Sequence, residues 1–169
     1  MKKSVKNIGC YKHSFLLITV LLFIVSCGAG KTLVIKPPQM KLKASFVDFS
    51  EEAPTINVPE KIRKTFEEKL NHLLYGDGTF QKGSDLKIKY RFIIYDPGNQ
   101  FSRWFWGGIG DAGEGSLTLE AMYFDATGKE LSTIEVEGRI KSGAFGGSFD
   151  YALERAAKEI VEYTKQNFQ

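Results

Sequence analysis

Several residue groupings in this chain have the types that catalysis or nucleotide binding would use. Gly28-Ala29-Gly30-Lys31-Thr32 ends as a phosphate-cradling loop ends, but that motif requires a further glycine at position 25, where Val25 stands. It also requires a helix directly after the loop, and Pro37-Pro38 follows instead. Gly108-Ile109-Gly110-Asp111-Ala112-Gly113 spells a dinucleotide fingerprint, which works only where it joins a strand to a helix N-terminus. The residues after it alternate like a strand, so neither stretch supports a nucleotide. His72 is the only histidine beyond residue 13, which excludes imidazole-rich metal sites. It falls beside Leu73 on the edge of a helix's apolar face and reads as a partly buried structural histidine. No nucleophile-elbow pattern occurs, and Glu51-Glu52 and Glu67-Glu68 read as solvated charge. The expectation is a protein that is not an enzyme, with no catalytic residue, metal or dissociable cofactor.

The segment Gln100 to Gly110 is different. It holds both tryptophans, Trp104 and Trp106, with Arg103 before them and a run of glycines after. Tryptophan and arginine are enriched where interfaces concentrate their energy, and tryptophan also suits the membrane–water boundary. The alternative is that these rings plug one end of a sheet while the glycines let the chain turn. Arg103, Trp104, Trp106 and Phe145, the last in a second glycine-rich loop, are the candidate interaction residues.

Cys27 is the remaining reactive group, and its surroundings are specific. Lys2, Lys3, Lys6 and Lys12 form a basic start with no acidic residue. An eleven-residue apolar run, Phe15 to Val25, follows; it is the length of a signal-peptide core and short of the ~20 residues a spanning helix needs. Ile24-Val25-Ser26-Cys27 then resembles the lipobox of bacterial lipoproteins. A small residue admits the peptidase, and the thiolate takes the diacylglyceryl group as a thioether. The expectation is a signal peptide over residues 1–26, removed to leave acylated Cys27. The partners implied are the lipid bilayer and another envelope protein. Lipoproteins retained in the inner membrane commonly carry aspartate after the cysteine; Gly28 stands here, so the resemblance implies an outer-membrane location facing the periplasm.

Removing the leader changes the charge. The chain has 23 basic and 20 acidic residues, and four of the basic ones precede Cys27, leaving 19 against 20. No excess of positive charge remains to support nucleic-acid binding. The 143 residues from Cys27 onward suffice for one domain. With Cys27 acylated no thiol is left for a disulfide, so packing alone must hold the fold.

The hydrophobic period then places the elements. Residues 27–40 contain Gly28, Gly30, Pro37 and Pro38 and read as a flexible tether, leaving 41–169 as a single domain. Lys41 to Phe49 alternates, with Leu42, Ala44 and Phe46 on one side. Ile62, Phe66, Leu70, Leu73 and Leu74 recur at helical spacing between Pro59 and Gly76. Asp85 to Tyr95 is a strand with Leu86, Ile88, Tyr90, Phe92 and Ile94 on one face. Glu114 to Asp125 and the stretch after Thr127-Gly128-Lys129 are two more, and Ser148 can cap a last helix reaching Asn167. The predicted fold is a two-layer α+β domain of order strand-helix-strand-strand-strand-helix, with a four-stranded mixed sheet and both helices on one face. In that topology the two glycine-aromatic loops share one pole and the tether enters at the other.

From about Phe101 onward the chain is similar to a family of uncharacterised bacterial lipoproteins carrying a domain of unknown function (the domain of unknown function 4410 type). The resemblance rests on Arg103 followed by aromatics and glycines, on Phe124-Asp125-Ala126-Thr127-Gly128-Lys129, on Val136-Glu137-Gly138, and on Gly146-Gly147-Ser148 before an alanine-rich helix. It implies a fold and an envelope location and brings no activity. The function expected is an interaction or accessory subunit of the envelope; the alternative is a periplasmic binding module for an apolar or amphipathic ligand held between helices and sheet.

Overall fold

The computed structural model describes residues 31–97, 115–139 and 149–169. Six strands and two helices follow one another as β1 (Lys31–Lys36), β2 (Phe46–Glu51), α1 (Glu60–Tyr75), β3 (Gln81–Lys82), β4 (Leu86–Asp96), β5 (Ser116–Asp125), β6 (Glu130–Arg139) and α2 (Phe149–Phe168). They form one six-stranded sheet of order β1-β6-β5-β4-β2-β3. The pairs β1/β6, β6/β5 and β5/β4 are antiparallel, whereas β4/β2 and β2/β3 are parallel.

This corrects the expected four-stranded sheet and its element order. Two strands were missing from that expectation. β3 has two residues, too few to show any period. β1 lies within the stretch expected to be a tether and pairs with β6 from Lys31↔Glu137 to Lys36↔Thr133. Side chains fasten it further. Thr32 Oγ1 donates to Glu159 Oε2 of α2 at 2.7 Å. The hydroxyl of fully buried Ser132 donates to the Lys36 carbonyl at 2.7 Å and shares a 2.6 Å hydrogen bond with Tyr163.

Alternation on β4 and β5 builds the core. Leu86, Ile88, Tyr90 and Phe92 of β4 lie beside Leu117, Leu119, Ala121 and Tyr123 of β5, all buried on one face. Phe66 of α1 meets Tyr90 and Phe92 edge-on, with ring centroids 5.0 and 5.6 Å away. Tyr163 and Phe168 of α2 meet Tyr123 at 5.3 and 5.2 Å. Both helices therefore cover the same face, and aromatic rings fill the space beneath them.

Two strands depart from simple alternation. A bulge between Phe92 and Ile94 adds Ile93 to β4, so the phase flips: Tyr95 packs on Phe149 while Ile94 turns to the open face and is half exposed. In β2 the buried residue is Val47 and Phe46 is exposed, opposite to the expected face. The strand starts only at Phe46, where the Asp85 carboxylate accepts from the Ser45 and Phe46 amides at 3.3 and 3.1 Å, so the period does not run through from Ala44.

Gly138 sits where β6 passes under α2. A β-carbon there would overlap the Ala152 carbonyl oxygen and crowd Leu117. Because the neighbour is backbone, Gly138→Ala is expected to push the helix off the sheet and to cost about 1–3 kcal/mol in urea unfolding, as overpacking does. Unchanged stability would show that α2 does not sit this close.

Candidate functional site

Cys27, Arg103, Trp104, Trp106 and Phe145 lie outside the described residues. What the fold fixes is the framework around them. Asp96 at the end of β4 pairs with Ser116 at the start of β5, which pairs with Arg139 at the end of β6. The chain ends that flank residues 98–114 and 140–148 therefore meet at one pole of the sheet, and α2 begins there beside Tyr95. Lys31 is at this pole too, because antiparallel β1 places it against Glu137. The sequence expectation set the chain entry at the opposite pole; recruitment of Lys31–Lys36 into the sheet reverses it.

The opposite pole is a built turn. The Asp125 carboxylate accepts from the Thr127 amide and hydroxyl and from the Lys129 amide at 2.9, 2.6 and 3.0 Å. Gly128 adopts φ 85°, the left-handed region glycine enters freely. Hydrogen bonding, first from the Thr127 hydroxyl, holds the Asp125 carboxyl below its ordinary range.

The open sheet face mixes charge with apolar surface. Arg91 holds Glu120 through its Nε and Nη2 at 2.6 and 2.5 Å, and the two are direct cross-strand partners. The Lys89 ammonium lies 5.4 Å from the ring centre of half-buried Phe124. At the sheet margin Leu33, Val34 and Ile35 of β1 are 50%, 44% and 52% exposed. Leu33 opposes Glu135 on the open face and Val34 opposes Ile134 on the helix face, so apolar side chains project from both faces of β1. No described strand pairs with its outer edge.

His72 is exposed, not partly buried as expected, because it falls on the solvent side of α1 beyond Leu73. It borders an open groove of about 350 Å³ between the helices, with Asp77, Lys158, Glu162 and Lys165. The Asp77 carboxylate accepts from the Lys165 ammonium at 2.5 Å and from the Thr79 amide at 2.9 Å. These bonds hold the Asp77 carboxyl far below its ordinary value, led by the Lys165 contact, so this carboxylate is already engaged. Among the described residues, no serine, threonine or cysteine lines the groove. Among the described residues no cluster of three or more histidine, cysteine, aspartate or glutamate side chains could hold a metal ion, and no helix is long and apolar enough to cross a membrane.

Residues 31–147 match the family described as a domain of unknown function (DUF4410). The chain belongs to this family. The match begins at Lys31, the first residue of β1, in keeping with that strand being part of the DUF4410 domain. None of the curated proteins matches the chain. Among solved structures, two of a PelC dodecamer from Paraburkholderia phytofirmans share the fold. The first, of a point variant, aligns with a TM-score of 0.54 at 12% identity over 78% of this chain and 95% of that one. The second gives 0.52 at 11% identity over 83% and 99%. A minor lipoprotein from Acinetobacter baumannii aligns at 0.40 with 14% identity, over 73% of this chain and 94% of that one.

Two of the motifs that carried the family resemblance now have structural causes. Asp125 to Lys129 is the hydrogen-bonded turn between β5 and β6, and Gly138 is the close approach to α2. Neither is a chemical site. The feature that sequence reasoning missed is β1. Its signal was available in Thr32-Leu33-Val34-Ile35, a β-prone run bounded by Gly30 and Pro37.

Proposed function

We propose that this DUF4410 protein is a non-enzymatic envelope lipoprotein, held to the membrane by acylated Cys27, whose domain is an interaction subunit. The lipobox-like sequence supports the anchor, and Gly28 supports outer-membrane delivery with the domain facing the periplasm. The observation that carries the interaction role is β1: three consecutive aliphatic residues, half exposed, on a strand whose outer edge has no described partner. Such an edge is a ready template for pairing with another chain. The partner is another protein of the envelope. A second copy of this chain is the first candidate to test, because the PelC structures that share the fold are dodecamers. Arg103, Trp104, Trp106 and Phe145 are further candidates for the same surface system.

The alternative, a binding module for an apolar ligand, has less support. Its ligand would need the space between helices and sheet, which two ring clusters occupy, Phe66 with Tyr90 and Phe92, and Tyr123 with Tyr163 and Phe168.

Native electrophoresis of gently solubilised membranes tests the role of β1. The wild type is expected to run as a complex, and the double variant Leu33→Lys, Ile35→Lys as the free lipoprotein with an unchanged thermal midpoint. Both positions are exposed, so the substitutions should alter folding stability by only about 0.5 kcal/mol. A double variant that keeps the complex would place the interface elsewhere. The triple variant Arg103→Ala, Trp104→Ala, Trp106→Ala, measured alongside, reports on the glycine-aromatic segment.

A further inference from the structure

We infer that the pole formed by Lys31, Asp96, Ser116 and Arg139 faces the lipid surface, and that the Ala126–Lys129 turn points away from it. The inference rests on acylation of Cys27. Only Gly28, Ala29 and Gly30 separate that cysteine from Lys31, so the Cα of Cys27 lies at most about 14 Å from that of Lys31. A tether running to Met40 would have left the domain free to turn over. Incorporation of Lys31–Lys36 into the sheet removes that freedom, since Lys31 is locked against Glu137 and Lys36 against Thr133.

The dimensions set the orientation. The ten steps of β4 from Leu86 to Asp96 span roughly 33 Å at the usual strand rise. That is more than twice the reach of the linker, so a domain with its strands upright cannot stand on its turn end. Near the Lys31 pole, Ile94 on the open face and Tyr151 in the first turn of α2 are 52% and 46% exposed, and Lys31 itself is exposed. An aliphatic side chain, a tyrosine and a lysine suit the boundary where hydrocarbon gives way to phosphate. The other end exposes Ala126, Thr127, Gly128 and Lys129 but also Met40 and Phe46, at 45% and 43%, so it is the short linker that sets the orientation.

The orientation also limits how copies can pair. β1 runs away from the bilayer, while β2 and β3, parallel to β4, run toward it. Two β1 edges pairing antiparallel would place their anchors at opposite ends, which one leaflet does not allow. A β1 edge pairing antiparallel with the β2/β3 side of a neighbour keeps both anchors in the same leaflet, a head-to-tail contact of the kind that closes rings.

The test uses the full acylated protein in phosphatidylethanolamine–phosphatidylglycerol vesicles containing a nickel-chelating headgroup lipid. Maturation removes Cys10 and blocks Cys27, so Pro97→Cys and Ala126→Cys each supply a single thiol for a nitroxide label. Relaxation of the nitroxide by headgroup nickel is expected to be several-fold stronger at position 97 than at 126. A second pair, Tyr151→Cys and Lys129→Cys, should repeat the ordering if either first variant folds poorly. Equal or reversed relaxation in protein that floats with the vesicles overturns the orientation while the anchor stands. Failure to float overturns the anchor reading and the orientation with it.

Discussion

Replacing Cys27 by alanine is expected to move the protein from the membrane fraction to the soluble fraction almost completely. Each buried methylene of an acyl chain contributes about 0.8 kcal/mol, so two or more chains make a durable anchor and none leaves no comparable attachment. Neither helix of the described domain is long and apolar enough to span a bilayer. Fractionation combined with labelling by an alkyne fatty acid checks this. Label on the wild type and none on Cys27→Ala, with the variant soluble and folded, is the expected pattern. A variant that stays in the membrane unlabelled would mean that the apolar run Phe15 to Val25 is retained and not removed.

The second large effect concerns the core. Phe66 is fully buried and is the side chain through which α1 meets Tyr90 and Phe92. Phe66→Ala is expected to lower unfolding free energy by about 3–5 kcal/mol, the lost transfer energy plus the cavity that the rigid rings of β4 cannot close. Against a total of about 5–15 kcal/mol for a domain of this kind, that is enough to bring the protein close to its unfolding threshold. Denaturant titration of the purified domain, with Ile94→Ala as an exposed control, measures the difference. A loss below about 1 kcal/mol would mean that α1 does not pack on the sheet as described.

How far the sequence could be read depended on how far each element obeys one period. In β4 the residues from Leu86 to Phe92 alternate and are buried in that alternation; in β5 Leu117 to Tyr123 do the same. α1 runs between Pro59 and Gly76 where its helical spacing and end signals place it. The readings failed where the period is interrupted. The Ile93 bulge turned Ile94 outward, and the late start of β2 put Val47 inside in place of Phe46. β1 was lost for a related reason. An edge strand exposed on both faces has no buried side to impose alternation, so Leu33-Val34-Ile35 shows no polar partner residues, and the glycines and prolines around it looked like a linker. That loss mattered most for function, because it placed the chain entry at the wrong pole and hid the apolar edge. The candidate residues Arg103, Trp104, Trp106 and Phe145 were chosen for their types alone, and the described framework bears only on where their flanking strands end.

Photo-crosslinking in native membranes tests the central claim most directly, with a benzophenone side chain placed at position 33 and, as a control, at position 126. The account predicts a discrete protein adduct from position 33, of twice the chain's mass if the partner is a second copy, and none from 126. No adduct at 33, or the same adducts from both positions, would contradict a docking role for the β1 edge.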